Sequence, residues 1–269
     1  DLHIQAFRLA EELSCPVMVC MDGFILTHAY DRVDVPSQEE VDAFLPPYGP
    51  RQVLDPAEPV SIGAMVGPEA FMEVRYLAHH KQMRALDLIP QLSAEFRQVF
   101  GRDSGGLIRS YRAEDAKTIV VALGSVNGTI KDVIDELRDA GHAIGAASIV
   151  SFRPFPSDEL HELLSHAKRL VVIEKSLAVG IGGIVSHNLR MALSGISLHA
   201  YTVVAGLGGR AITKASLRSL FERALRDDLE PLTFLDLNQP AIDRELAREK
   251  AQRRSGPSAE NILRDLGIR

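Results

Sequence analysis

The residues best placed to do chemistry in this 269-residue sequence are glycines at the junctions of apolar runs. Gly124-Ser-Val-Asn-Gly-Thr129 follows an apolar run and leads into an amphipathic one, so it reads as a strand-to-helix turn. Free backbone amides at a helix start can hold a phosphate group. The spacing is neither G-x-G-x-x-G nor a P-loop, and a turn kept for geometry alone is the competing reading. Gly180-Ile-Gly-Gly183 is a second candidate, after the apolar run at 169–173 and Glu174-Lys-Ser176. Open sheets hold ligands at the carboxyl ends of parallel strands, and both turns are expected on that edge. The cofactor-binding candidates are accordingly Gly124, Ser125, Gly128, Thr129, Gly180, Gly182 and Gly183.

No other constellation makes a self-sufficient active site. The histidines do not cluster at ligand spacing: His79 and His80 are adjacent, His161 and His166 are five apart, and His28, His142, His187 and His199 are isolated. Surface or capping roles are expected for each. No G-x-S-x-G nucleophile motif occurs. Glu174 and Lys175 at a strand end could form an acid/base pair, although a local salt bridge or an interface contact is the commoner fate of such neighbours. Cys15 and Cys20 match neither zinc nor iron–sulfur spacing, so no metal ligands are assigned and the catalytic residues stay unknown.

The elements that would position these turns repeat through residues 115–209. Apolar runs at 118–123, 143–150, 169–173 and 198–205 read as strands, and the segments at 129–140, 156–164 and 184–193 have helical spacing. Strands apolar on both faces and alternating with helices predict an α/β fold with a parallel sheet covered on both sides. A further helix at 212–225, capped by Thr213, is expected to close this domain. Before it, residues 3–13 read as a helix and 16–21 as a buried strand running into Asp22-Gly-Phe24, a unit too small to enclose a core and so expected to belong to a larger α/β domain supplied upstream or by another chain. Prolines 36, 46, 47, 50, 56, 59 and 68 mark an extended connector, with a capping box at Ser37 and Glu40. A single long helix is expected over 69–100. After 228 the sequence offers a short apolar run at 234–237, a charged helix over 241–254, a break at 255–258 and a last helix at 261–266. That tail is expected to drape on a neighbour.

Composition excludes several classes. Thirty basic against thirty-six acidic residues give a net charge of −6 without a long block of like charge, which argues against nucleic acid as a partner. No apolar run approaches the ~18 to 20 residues of a membrane span, and no secretory pattern opens the sequence, so a soluble cytoplasmic protein is the default.

The runs Gln5-Ala-Phe-Arg-Leu-Ala-Glu11, Pro16-Val-Met-Val-Cys-Met-Asp-Gly-Phe24, Leu26-Thr-His28 and Val41-Asp-Ala-Phe-Leu-Pro46 resemble the alpha subunit of multi-subunit pyruvate:ferredoxin oxidoreductases. Gly124-Ser125, Gly128-Thr-Ile-Lys131, Phe152-Arg-Pro-Phe-Pro156, Val172-Ile-Glu-Lys175, Gly180-Ile-Gly-Gly183 and Gly206-Leu-Gly-Gly-Arg210 continue the resemblance in the same order. The resemblance implies four segments: residues 1–30 as the end of a pyrimidine-type thiamine-diphosphate domain, 31–114 as connector and long helix, 115–227 as a domain like the carboxyl-terminal domain of transketolase, and 228–269 as a tail packing on partner subunits.

It further implies a coenzyme A-dependent oxidative decarboxylation of pyruvate, or the reverse synthesis, with ferredoxin as electron acceptor. Thiamine diphosphate with Mg would act at the level of the complex, [4Fe-4S] clusters would sit on the delta or beta subunits beside a gamma subunit, and this chain alone would bind none of them. The family's Tyr-Pro-Ile-Thr-Pro-like motif, its activating glutamate and its substrate-binding arginine have no counterpart here, so catalytic residues are expected upstream or on partner chains. Three alternatives stay open: another 2-oxoacid as substrate (2-oxoglutarate, a branched 2-oxoacid, oxalate or an aryl glyoxylate), a non-catalytic assembly module, and a free-standing phosphate or nucleotide binder using residues 124–129.

Overall fold

The computed structural model describes residues 1–23, 26–250 and 256–268. The chain divides into two compact units, Asp1–Thr233 and Phe234–Arg269. The first is built on a mostly parallel sheet, so the expected α/β class holds. Its strands are β1 (Ile108–Tyr111), β2 (Thr118–Ala122), β3 (Ile144–Ile149), β4 (Arg169–Glu174), β5 (His199–Val204) and β6 (Leu232–Phe234), in the order β1-β3-β2-β4-β5-β6. The pairs β3–β2, β2–β4 and β4–β5 are parallel, while β1 adds an antiparallel edge on β3.

The centre is apolar on both faces because helices cover both. Every residue of β2 is buried. Ile119, Val121, Leu170 and Val172 pack with Leu160 and Leu164 of α6 (Ser157–Leu164) and with Val185 and Leu189 of α7 (Ile184–Ala192). Ile130, Ile134 and Leu137 of α5 (Val126–Asp139) and Leu217 and Phe221 of α8 (Lys214–Leu225) are likewise buried, with α5 packed on α8 and on β3. Each such side chain contributes about 1.5–3 kcal/mol through loss of apolar surface to water. Thr213 caps α8 as its position predicts, accepting from the Ser216 amide at 3.1 Å.

The amino ends of the two strands β4 and β5 are clamped by Asp227, just beyond α8. Its carboxylate accepts from Arg169 Nε at 2.6 Å, Tyr201 Oη at 3.0 Å and His199 Nδ1 at 3.2 Å, and Arg169 Nη2 closes the fork. The Arg169 guanidinium above all holds the Asp227 carboxyl well below the usual aspartate range.

The residues before the sheet depart from expectation in two places. Residues 16–21 belong to no strand: Val17 and Val19 are half-buried while Pro16, Met18, Cys20 and Met21 are exposed, and among the described residues no strand pairs with them. Asp22 and Gly23 follow, while Phe24 of the same run lies outside the described residues. The single helix expected over 69–100 is two, α3 (Phe71–Met83) and α4 (Ala85–Phe100), parted at Arg84, and Pro90 sits inside α4. The two halves face different surroundings. Helix α3 buries no residue, whereas α4 buries Leu92 and Phe96 against α1 (Leu2–Leu13) and α2 (Gln38–Phe44). A small second core results: Phe44 meets Phe96 edge-on at 5.5 Å, Phe96 stacks on Phe100 at 4.1 Å, and the Arg8 guanidinium lies 4.9 Å from the Phe44 ring centre. The capping box at Ser37 and Glu40 forms as expected.

The second unit holds α9 (Gln239–Glu249) and α10 (Ser258–Asp265). Asp265 joins them, with Arg244 Nε at 3.2 Å and Arg248 Nη2 at 2.8 Å. Residues 251–254 of the expected charged helix and Ser255 of the expected break lie outside the described residues. The apolar run at 234–237 contributes only Phe234 to β6.

Candidate functional site

The two glycine turns do come to the carboxyl edge of the sheet. Gly124 and Ser125 follow β2, and Gly180, Gly182 and Gly183 lie between β4 and α7. Gly128 and Thr129 do not belong to the turn: α5 begins at Val126, three residues earlier than its apolar spacing predicts, and both are helical. Asn127, buried in the first turn of α5, explains the early start. Its Nδ2 donates to the Gly124 carbonyl and to Ser148 Oγ on β3, both at 3.0 Å, and so ties turn, helix and neighbouring strand together.

Each turn already holds a carboxylate of the chain itself. At the first, Asp22 accepts from the Ser125 amide at 2.8 Å and from the Ser125 hydroxyl, and Lys175 Nζ lies 3.4 Å from its other oxygen. The Ser125 hydroxyl is the largest influence holding the Asp22 carboxyl below its ordinary value, with the Ser125 amide and Lys175 adding to it against the cost of burial. Gly124 adopts φ +73°, and a Cβ there would stand 3.0 Å from Asp22 Oδ2, so glycine serves both the left-handed turn and the approach of the carboxylate.

At the second turn the carboxylate is Glu174, the last residue of β4. It is 5% exposed and accepts from the Val185 amide (2.8 Å), the Ser186 amide (3.1 Å), the Ser186 hydroxyl (2.6 Å) and the Ser176 hydroxyl (2.9 Å). A buried carboxylate is sustained here because four donors and the positive end of α7 replace its water. Gly183 is required because a Cβ would collide with the Glu174 carboxyl. Glu174 and Lys175 therefore take separate partners and are not paired with each other. Adjacent strand-end residues point apart, one into α7 and the other toward Asp22.

Two cavities adjoin these turns. One of about 590 Å³ is lined by Cys20, Asp22, Arg32, Arg102, Gly124 and Ser125 among others. A smaller one of about 110 Å³ lies between the Gly182–Gly183 turn, His187 and Arg190 of α7, Thr202 of β5 and the following Pro231 and Leu232. His187 Nδ1 is hydrogen-bonded to the Gly183 carbonyl one turn before it. Among the described residues no group of three or more His, Cys, Asp or Glu is arranged to hold a metal, and no helix is long and apolar enough to cross a membrane.

Comparison with known proteins gives this architecture a family. Residues 1–93 match the thiamine-diphosphate-binding model of the pyruvate flavodoxin/ferredoxin oxidoreductases, and residues 116–217 match pyruvate:ferredoxin oxidoreductase core domain II. The chain belongs to the pyruvate:ferredoxin oxidoreductase family and corresponds to its alpha subunit. Its relatives include pyruvate synthase subunit PorA of Methanothermobacter thermautotrophicus, 40% identical over 225 residues that make up 83% of this chain and 58% of that protein. Ketoisovalerate oxidoreductase subunit VorA of Pyrococcus horikoshii is 34% identical over 82% of this chain and 57% of that protein. The chain thus spans under two thirds of these relatives' length. Among solved structures, the 2-oxoglutarate:ferredoxin oxidoreductase of Magnetococcus marinus aligns with 66% of this chain and 29% of that chain, at 16% identity and a TM-score of 0.49.

Proposed function

We propose that this chain is the part of the alpha subunit that assembles with beta, gamma and delta subunits into a coenzyme A-dependent pyruvate:ferredoxin oxidoreductase. The observation that carries the reading is the succession of two matches to the same enzyme family, covering residues 1–93 and 116–217 in order. In it, residues 1–30 complete a pyrimidine-type thiamine-diphosphate domain, 31–114 connect, 115–227 form the transketolase-like domain, and 228–269 pack on partner chains. Thiamine diphosphate with Mg would supply the stabilised carbanion of decarboxylation, and [4Fe-4S] clusters on partner subunits would carry electrons to ferredoxin in the cytoplasm.

The residues present do not make a diphosphate cradle by themselves. The amide of Ser125 and those of Val185 and Ser186 are bonded to Asp22 and Glu174, so these amides are not free for a diphosphate. Its contribution is positional: Gly124 and Ser125 wall the 590 Å³ cavity, a volume in the range of small-molecule sites, and Asp22 ties the segment before it to the sheet edge. The identity to a ketoisovalerate oxidoreductase subunit favours a branched 2-oxoacid as the second reading of substrate.

The test is purification of the native assembly, with subunit identification, thiamine diphosphate and iron content, and ferredoxin reduction driven by pyruvate or 2-oxoisovalerate in the presence of coenzyme A. Pyruvate-dependent reduction by a cofactor-bearing complex is expected. Preference for 2-oxoisovalerate would move the substrate assignment, and a chain found alone without cofactor would overturn the enzyme reading in favour of an assembly module.

A further inference from the structure

We propose that the 110 Å³ cleft between α7 and Thr202 of β5 is a binding site for a phosphate group, held by Arg190, His187 and Thr202. The argument starts from Arg190. Its side chain is exposed at the mouth of the cleft, and Nη2 lies 3.5 Å from Thr202 Oγ1, a hydroxyl on a residue only 4% exposed. Among the described residues none of the ion pairs involves Arg190, whereas Arg169 and Lys175 of neighbouring β4 and its turn each hold a carboxylate. A guanidinium at the cleft mouth, in reach of a buried hydroxyl and outside those ion pairs, offers a fork for an oxyanion.

His187 supplies the complementary group. A carbonyl oxygen can only accept, so Nδ1 donates to Gly183 and the ring is fixed, with Nε2 left for a ligand. In the neutral ring Nε2 accepts, which suits the P–OH of a hydrogen phosphate, while Arg190 and the Thr202 hydroxyl donate to the unprotonated oxygens. The cleft has the space of three or four water molecules at about 30 Å³ each, enough for one small tetrahedral group. The remaining walls, Ile181, Pro231 and Leu232, bring no competing charge. Glu174 lies behind Gly183, and both of its oxygens are engaged by their four donors, which offset its charge.

The test is a phosphorus NMR titration of the full-length chain, in the assembly in which it purifies, with inorganic phosphate and separately with glycerol phosphate. Saturable binding is expected, weakened at least tenfold by Arg190→Gln, an exposed position whose exchange leaves the melting temperature unchanged, and similarly by the near-isosteric Thr202→Val. Binding of inorganic phosphate alone identifies the free ion as ligand, and binding of both identifies the phosphate end of a larger molecule. Absence of saturable binding, or equal affinity in native protein and Arg190→Gln, overturns the proposal.

Discussion

The turns after β2 and after β4 solve the same problem in opposite ways. Both leave a parallel strand, both use glycine, and both bring a carboxylate to the start of the next helix. Glu174 comes from the strand itself, eleven residues before the amide it holds, and is buried under four donors. Asp22 comes from a segment 103 residues away, and its partner Lys175 is 41% exposed. The difference separates two functions of one motif. A local carboxylate builds the sheet edge, whereas a distant one attaches another part of the chain to it.

Substitutions sharpen that distinction. Glu174→Gln keeps the volume but places an amide donor among donors, and denaturant unfolding should show a loss of about 3 kcal/mol with the whole α/β core affected. Gly183→Ala should cost about 2 kcal/mol in the same measurement, because the methyl group displaces the Glu174 carboxyl in a packed site. Asp22→Asn should cost about 1 kcal/mol or less. It should leave the core's hydrogen-exchange protection intact while exposing residues 15–23, and the difference from native should shrink with added salt. Equal effects of the Glu174 and Asp22 exchanges would end the comparison.

Acid gives the finest test. The Asp22 carboxyl is depressed in the folded chain, so its contribution is complete above the ordinary aspartate value of about 3.9 and is lost as pH falls through the lower folded value. The stability difference between native protein and Asp22→Asn should therefore persist at pH 5 and disappear only in stronger acid. A difference that stays constant as pH is taken from 5 down into stronger acid would show that the carboxyl is not depressed.

Much of the sheet was legible beforehand. Residues 118–123, 143–150, 169–173 and 198–205 carry continuous apolar runs because helices cover both faces, and β2 to β5 fall on them within a residue or two. The edge strand β1 was not legible, since its Ile-Arg-Ser-Tyr sequence is half-exposed and pairs on one side only. The segment at 16–21 misled for the converse reason: its apolar residues read as a strand, but a strand is defined by a neighbour. The glycine turns were found as candidates, while the carboxylates that occupy them were not. In the sequence Glu174 stands out only beside Lys175, and Asp22 only as the end of an apolar run.

The sequence by itself determined the alternation of strand and helix, the caps at Ser37 and Thr213, the glycine turns and the family resemblance, all of which depend on residues within a few positions of one another. Tertiary structure alone decided that Asp22 reaches Ser125, that Asp227 clamps Arg169, His199 and Tyr201, and that Arg190 lies beside Thr202. The physical reason is range. Periodicity and capping report how a segment meets water, but a hydrogen bond between distant segments exists only after the sheet has set their distance and direction.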